Sequence, residues 1–99
     1  MNIRKTQEDN TLTVAVEGQL DTETAPQLDG ELRTAVNGIT ELIFDLSELD
    51  YISSTGLREL LSAQKVMNRQ GSMTIRNVKP EIMEIFEVTG FVDILTIEE

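Results

Sequence analysis

Ninety-nine residues, 39% of them hydrophobic, fit one compact domain, and the chain contains neither cysteine nor histidine. That excludes disulfides, thiolate nucleophiles, Ser-His-Asp arrangements and zinc sites built from Cys or His. Eight basic against eighteen acidic residues give a formal net charge of -10, which repels nucleic acid and anionic membranes and draws basic protein partners instead.

The chain opens on two segments with hairpin character. Ile3 to Thr6 is a short strand, and Thr11 to Glu17 alternates, with Leu12, Val14 and Val16 on one face. Glu8-Asp9-Asn10 between them has turn composition, and Gly18 is expected to close the second strand. Thr24 then fits a helix N-cap, with Pro26 in the first turn and Gln27 three residues on, as in a capping box. Ala25, Leu28, Leu32, Ala35 and Val36 follow at helical spacing. Gly30 interrupts that helix at a cost of roughly 1 kcal/mol against alanine, and Asn37-Gly38 suits its end.

Leu42 to Leu46 is a nearly continuous apolar run, the pattern of a strand covered on both faces. A short acidic turn follows, and then Ser53-Ser54-Thr55, directly before an amphipathic helix expected over about Thr55 to Arg69. Leu57, Leu60, Leu61, Gln64 and Met67 fall near one face of it, and Gly71 is its stop. Met73 to Arg76 is a further strand. Pro80 opens a third helix with Ile82, Ile85 and Phe86 inward, ending at Thr89-Gly90, and Ile94 to Ile97 reads as a last strand. The order β-β-α-β-α-β-α-β predicts a single α/β domain over residues 1–99, with a mainly parallel sheet and about three helices joined by right-handed crossovers.

No apolar stretch approaches the ~20 residues of a membrane span, and no charged-then-apolar leader precedes the first strand. The expectation is a soluble, cytoplasmic protein. No calcium-loop, P-loop or dinucleotide fingerprint is present, and the chain offers no candidate catalytic base other than carboxylates and lysines.

The three adjacent hydroxyls carry the strongest functional signal. One hydroxyl suffices to cap a helix, so Ser53, Ser54 and Thr55 are either cap-and-turn residues or a site. A helix start also tolerates an added anion, because free N–H groups and the helix dipole both favour negative charge there. Asp21, Glu23, Asp45 and Asp50 read singly as solvated loop carboxylates. Asp21, Glu23 and Asp50 could also share one rim with the serines, at the carboxyl ends of the strands. Arg58 and Glu59 lie in the first turn of the second helix, either as an ordinary exposed face or as recognition residues. Met67, Met73 and Met83 fall at packing positions.

Several stretches resemble STAS domains, specifically the small stand-alone anti-sigma factor antagonists of bacteria. They are Val16-Glu17-Gly18-Gln19-Leu20-Asp21, the run from Ile43 to Ile52, Ser53-Ser54-Thr55-Gly56-Leu57, and Phe86-Glu87-Val88-Thr89-Gly90-Phe91. Members of that family have a phosphorylatable hydroxyl in a motif Asp-Ser-Ser/Thr/Ala-Gly-Leu, where the first serine takes the phosphate. On this chain Gly56 anchors the match, Thr55 precedes it and Ser54 falls on the acceptor. Ser53 stands where an aspartate is common and ranks second as acceptor.

The resemblance implies a partner switch. The unphosphorylated protein would bind an anti-sigma factor of the histidine-kinase-like ATPase fold and free the sigma factor. That partner would phosphorylate Ser54, and a metal-dependent serine phosphatase would reset it. The implied binding surface comprises Asp21, Glu23, Thr24, Ser53, Ser54, Thr55, Gly56 and Arg58. The chain itself would hold no metal or cofactor and would not be an enzyme. The alternative is a STAS scaffold or regulatory subunit of a transport or signalling assembly, with the hydroxyls acting only as caps. A small-molecule or nucleotide sensor is disfavoured by the lack of a Gly-rich phosphate cradle, with Tyr51 the one aromatic other than Phe near the rim.

Overall fold

The β1 strand, Asn2–Glu8, pairs antiparallel with β2, Thr11–Leu20, through a turn in which Asp9 takes a positive φ of 54°. The structure is a computed structural model that describes residues 1–98. Alternation in β2 buries Leu12, Val14 and Val16 while the residues between them stay half-exposed, as the period of two in a pleated strand requires. The strand does not stop at Gly18. A bulge between Gly18 and Gln19 carries it on to Leu20, and Gly18 accommodates this with a φ of 96°, a backbone conformation that side chains disfavour.

Helix α1 covers Ala25–Ala35 and buries Ala25, Leu28 and Leu32. Strand β3, Glu41–Asp45, pairs parallel with β2. Its Leu42, Ile43 and Phe44 are all buried, so both faces are covered, as its apolar run predicts. Strand β5, Ser72–Arg76, continues the sheet parallel to β3. Helix α2, Ser54–Gln70, buries Leu57, Leu60, Ala63, Gln64 and Met67, with Leu61 only partly covered. Helix α3, Pro80–Thr89, buries Ile82 and Phe86, half-buries Ile85, and ends on Gly90 with a φ of 81°. The α1 and α2 helices pack on each other, and α2 packs on β5. Each large apolar side chain so covered contributes about 1.5–3 kcal/mol.

The fold class is the one expected: among the described residues, an α/β domain with three helices and a five-stranded sheet. Two further details differ from the sequence reading. The acidic turn after β3 contains a fourth strand, β4, Leu49–Ile52, which pairs parallel with the last residues of β2 beyond its bulge. The segment expected as a final strand, Ile94 to Ile97, forms none: it follows a 3-10 turn, Phe91–Asp93, and makes a lone parallel bridge between Ile75 and Ile97. The long β2 strand therefore serves two partners: residues 11–15 hold β3 and residues 18–20 hold β4. Since α1 follows β2 and α2 follows β4, both helices start at the carboxyl end of parallel strands. That is where loops of such sheets gather into sites.

Candidate functional site

The site is built on the two exits from this pair of strands. At the exit from β2, the Asp21 carboxylate turns the chain. Its Oδ1 accepts the backbone N–H groups of Glu23 at 3.0 Å and Thr24 at 3.1 Å. The Thr24 N–H, with that of Glu23, holds the Asp21 carboxyl below its ordinary range, against the opposing effect of burial. Thr24 Oγ1 accepts from the Asp21 N–H at 2.9 Å and donates to the Gln19 carbonyl at 2.8 Å. The expected capping box is thereby corrected. Thr24 stands at the N-cap position with helical backbone angles and no side-chain cap bond, because its hydroxyl is already engaged with the strand behind it. Asp21 is likewise a turn-former, while Glu23 beside it is exposed.

At the exit from β4, the Ser53 N–H donates to the Leu20 carbonyl at 2.9 Å. Ser53 has extended backbone angles, and its Oγ accepts the Gly56 N–H at 3.3 Å, which makes it the cap of α2. Thr55 Oγ1 lies 3.2 Å from Thr22 Oγ1. Two of the three adjacent hydroxyls thus have structural partners. Ser54, the first residue of α2, has its side chain exposed to solvent.

Gly56 is buried, and a Cβ there would stand 2.6 Å from the Leu20 carbonyl oxygen and 2.8 Å from Ile52. It allows the first turn of α2 to press onto the ends of β2 and β4. Its place in the expected binding surface is therefore corrected to a packing role beneath that surface. Arg58 is exposed, with Nε 3.5 Å from the Ser54 carbonyl. Asp50 pairs with Lys79, at the start of α3, at 2.6 Å. Tyr51 is 48% exposed on β4.

The structure brings the Asp21–Thr24 turn and the Ser53–Thr55 segment together, and the residue that joins them, Thr22, has no mark in the sequence. Its partner lies 33 positions away, so no local period betrays it. The site offers one free hydroxyl at a helix start, with exposed Arg58 one turn along the helix and exposed Glu23 on the adjoining turn. Among the described residues, no three His, Cys, Asp or Glu side chains cluster as a metal site, and no helix is long and apolar enough to cross a membrane.

A family model described as the STAS domain matches residues 2–99. BtrV of Bordetella bronchiseptica is 37% identical over 91 residues, covering 90% of this chain and 78% of the relative. The anti-sigma-B factor antagonist of Staphylococcus aureus is 31% identical over 102 residues, covering 100% of this chain and 94% of the relative. Among solved structures, the Bacillus cell-fate determinant SpoIIAA in its phosphorylated form matches with a TM-score of 0.76 at 18% identity, covering 99% of this chain and 92% of that one.

Proposed function

The chain belongs to the STAS domain family, and from that premise we propose that it is an anti-sigma factor antagonist whose docking is switched off by a phosphate on Ser54. Relatives named as anti-sigma-B factor antagonists match over essentially the whole chain. SpoIIAA, of the same fold, has been solved in both unphosphorylated and phosphorylated forms.

One observation carries the assignment to Ser54. A reading in which the hydroxyls are only caps accounts for Ser53, which holds the Gly56 N–H, and for Thr55, which meets Thr22. It leaves the exposed Ser54 without a structural duty. The alternative scaffold role therefore explains less of the sequence, and Ser53, spent on the cap, is the poorer acceptor.

The physics of the switch is local. A phosphate adds about -1.5 to -2 charges and three acceptor oxygens. At the first position of α2 it faces the helix N-terminus, which offsets part of its cost by ~0.3–1 kcal/mol. Against a partner carboxylate the same group is expensive. At an effective dielectric of 20, unit charges ~4 Å apart repel by about 4 kcal/mol before screening. A hundredfold loss of affinity needs only about 2.8 kcal/mol, so no refolding is required.

The partner in this reading is an anti-sigma factor and serine kinase of the histidine-kinase-like ATPase fold, which supplies ATP and magnesium. A metal-dependent serine phosphatase resets the switch, and the exchange takes place in the cytoplasm. Glu23, Ser54 and Arg58 form the contact surface, with Asp21, Thr24, Ser53, Thr55 and Gly56 shaping it from beneath. The chain performs no catalysis of its own.

The test is intact mass and binding with the cognate kinase and ATP. Wild type gains one phosphate and loses the partner. Ser54→Ala keeps the partner and gains nothing, and Ser54→Asp binds at least about a hundredfold more weakly. Stoichiometric phosphorylation of Ser54→Ala would overturn the assignment.

A further inference from the structure

Five of the eight basic residues, Arg4, Lys5, Arg33, Arg76 and Lys79, form ion pairs with carboxylates of this chain. Among the described residues the other three, Arg58, Lys65 and Arg69, form none, and all three are exposed on α2. They stand at i, i+7 and i+11, the spacing of one helix face, with exposed Ser62 between them. The stripe they form is about 16 Å long. Glu59, the one acid of α2, does not answer it, because that side chain is half-buried against Asp29 of α1. Val66, 42% exposed, borders the stripe between Ser62 and Arg69.

The chain has eighteen acids for eight bases, yet it leaves its three unpaired cations aligned on a single face. The helix dipole accounts for Arg69, in the last turn of α2, but it disfavours a base near the amino end, where Arg58 stands. We infer that this stripe docks an acidic helix of a protein partner, whose carboxylates meet Arg58, Lys65 and Arg69 and whose apolar side chain covers Val66. A helix laid along α2 repeats the same spacing, so it presents a carboxylate to each base in turn. Charge complementarity of this kind sets partner choice and orientation.

A narrow acidic segment fits better than the other polyanions. Nucleic acid and anionic bilayers are wide enough to meet the rest of the surface too, where the net charge of -10 repels them. Ser54 stands one turn before Arg58, so the stripe begins beside the proposed switch. Partner carboxylates seated there are the groups that a phosphate on Ser54 would repel. The inference rests on the Ser54 reading for the identity of the partner, but not for the preference of the stripe for acids.

The experiment is a titration of the isotope-labelled full chain, followed by amide shifts, with a synthetic helical peptide of alanine, leucine and glutamate. Its glutamates stand alternately four and three apart. Saturable shifts are expected at Arg58, Ser62, Lys65, Val66 and Arg69. Raising the salt from about 0.01 to 0.1 M shortens screening from roughly 30 to 10 Å and should weaken binding severalfold. The double variant Lys65→Gln with Arg69→Gln should bind about three- to tenfold more weakly. Arg4→Gln with Arg76→Gln removes the same charge from bases already paired and should change affinity less than about twofold. Equal losses in the two double variants would overturn the inference, since net charge alone would then govern binding. Shifts that map away from α2 would also overturn it. Tighter binding of duplex DNA or of phosphatidylglycerol vesicles than of the peptide would do the same, by making the stripe a nucleic-acid or membrane face. The titration involves no kinase and no phosphate on Ser54, so its failure leaves that switch standing, and failure of the switch leaves the stripe.

Discussion

The hydroxyls of Thr22 and Thr55 lie 3.2 Å apart and fasten the loop leaving β2 to the first turn of α2. Exposed Glu23 follows the first of these threonines and exposed Ser54 precedes the second, so both lie on the segments that the pair joins. Thr22→Val, which keeps the branched shape and removes the hydroxyl, should cost about 0.5–1 kcal/mol in urea unfolding, the low end for a hydrogen bond because the pair is open to water. Hydrogen exchange at the Glu23 and Thr24 amides should quicken at the same time. Unchanged exchange would show that Asp21 alone holds the turn.

Ser53 and Ser54 are neighbours with opposite duties, so alanine should separate them. Ser53→Ala removes the side chain that accepts the Gly56 N–H, and loss of such a cap costs about 0.5–2 kcal/mol. Ser54→Ala alters an exposed first-turn position and should stay within about 0.5 kcal/mol of wild type. Urea midpoints of the two variants measure this directly. Equal losses would mean that Ser54 shares the cap.

The parts of this fold that were legible in the sequence are those with a local period. Leu12, Val14 and Val16 announce β2, the Leu42–Leu46 run announces a strand covered on both faces, and the Leu57–Met67 spacing announces α2. Strand β4 was illegible because Leu49–Ile52 buries only its two end residues and exposes Asp50 and Tyr51. Four residues with that pattern carry no period of two. It becomes a strand because β2 continues past its bulge and presents free backbone groups there. At the site, the hydroxyl run was visible, but its division of labour was not. Which serine caps depends on where the chain leaves Leu20, and the capping box at Thr24 failed because Gln19 competes for the same hydroxyl. Asp29 and Glu59 meet only across two packed helices, so neither marked the other.

Gly30 and Gly56 both sit within helices and should respond to alanine in opposite directions. Nothing lies within 4 Å of a Cβ at Gly30. Gly30→Ala therefore gains the helix-propensity difference of about 0.5–1 kcal/mol, largely by restricting the unfolded chain. At Gly56 the added carbon would stand 2.6 Å from the Leu20 carbonyl oxygen, a backbone atom that cannot swing aside. Overpacking of that kind costs about 1–3 kcal/mol, which outweighs the propensity gain. Thermal melts should move up for Gly30→Ala and down for Gly56→Ala. A Gly56→Ala protein as stable as wild type would mean that α2 can slide off the strand ends.

Glu59 should make the stability of the domain depend on pH in a window where exposed carboxylates do not. Its carboxyl is raised from an ordinary value of 4.5 to about 7 by burial and by the facing Asp29. Below 4.5 the group is protonated in both folded and unfolded chains, and its full contribution is present. Between 4.5 and 7 the folded chain keeps a proton that the unfolded chain has released, so stability falls as pH rises. Above 7 the folded chain ionises too, and the loss is complete. The lowered carboxyls, Asp21, Asp29 and Asp45, act in the opposite sense and only at more acidic pH, where they lose stability as protons return. Because Glu59 is half-exposed, the loss should be roughly 1 kcal/mol after solvent screening rather than the full linkage value. Glu59→Gln keeps the shape and removes the titration. Urea midpoints at pH 5 and pH 8 should therefore diverge for wild type and converge for the variant, and parallel behaviour of the two would mean that Asp29 and Glu59 do not share a proton.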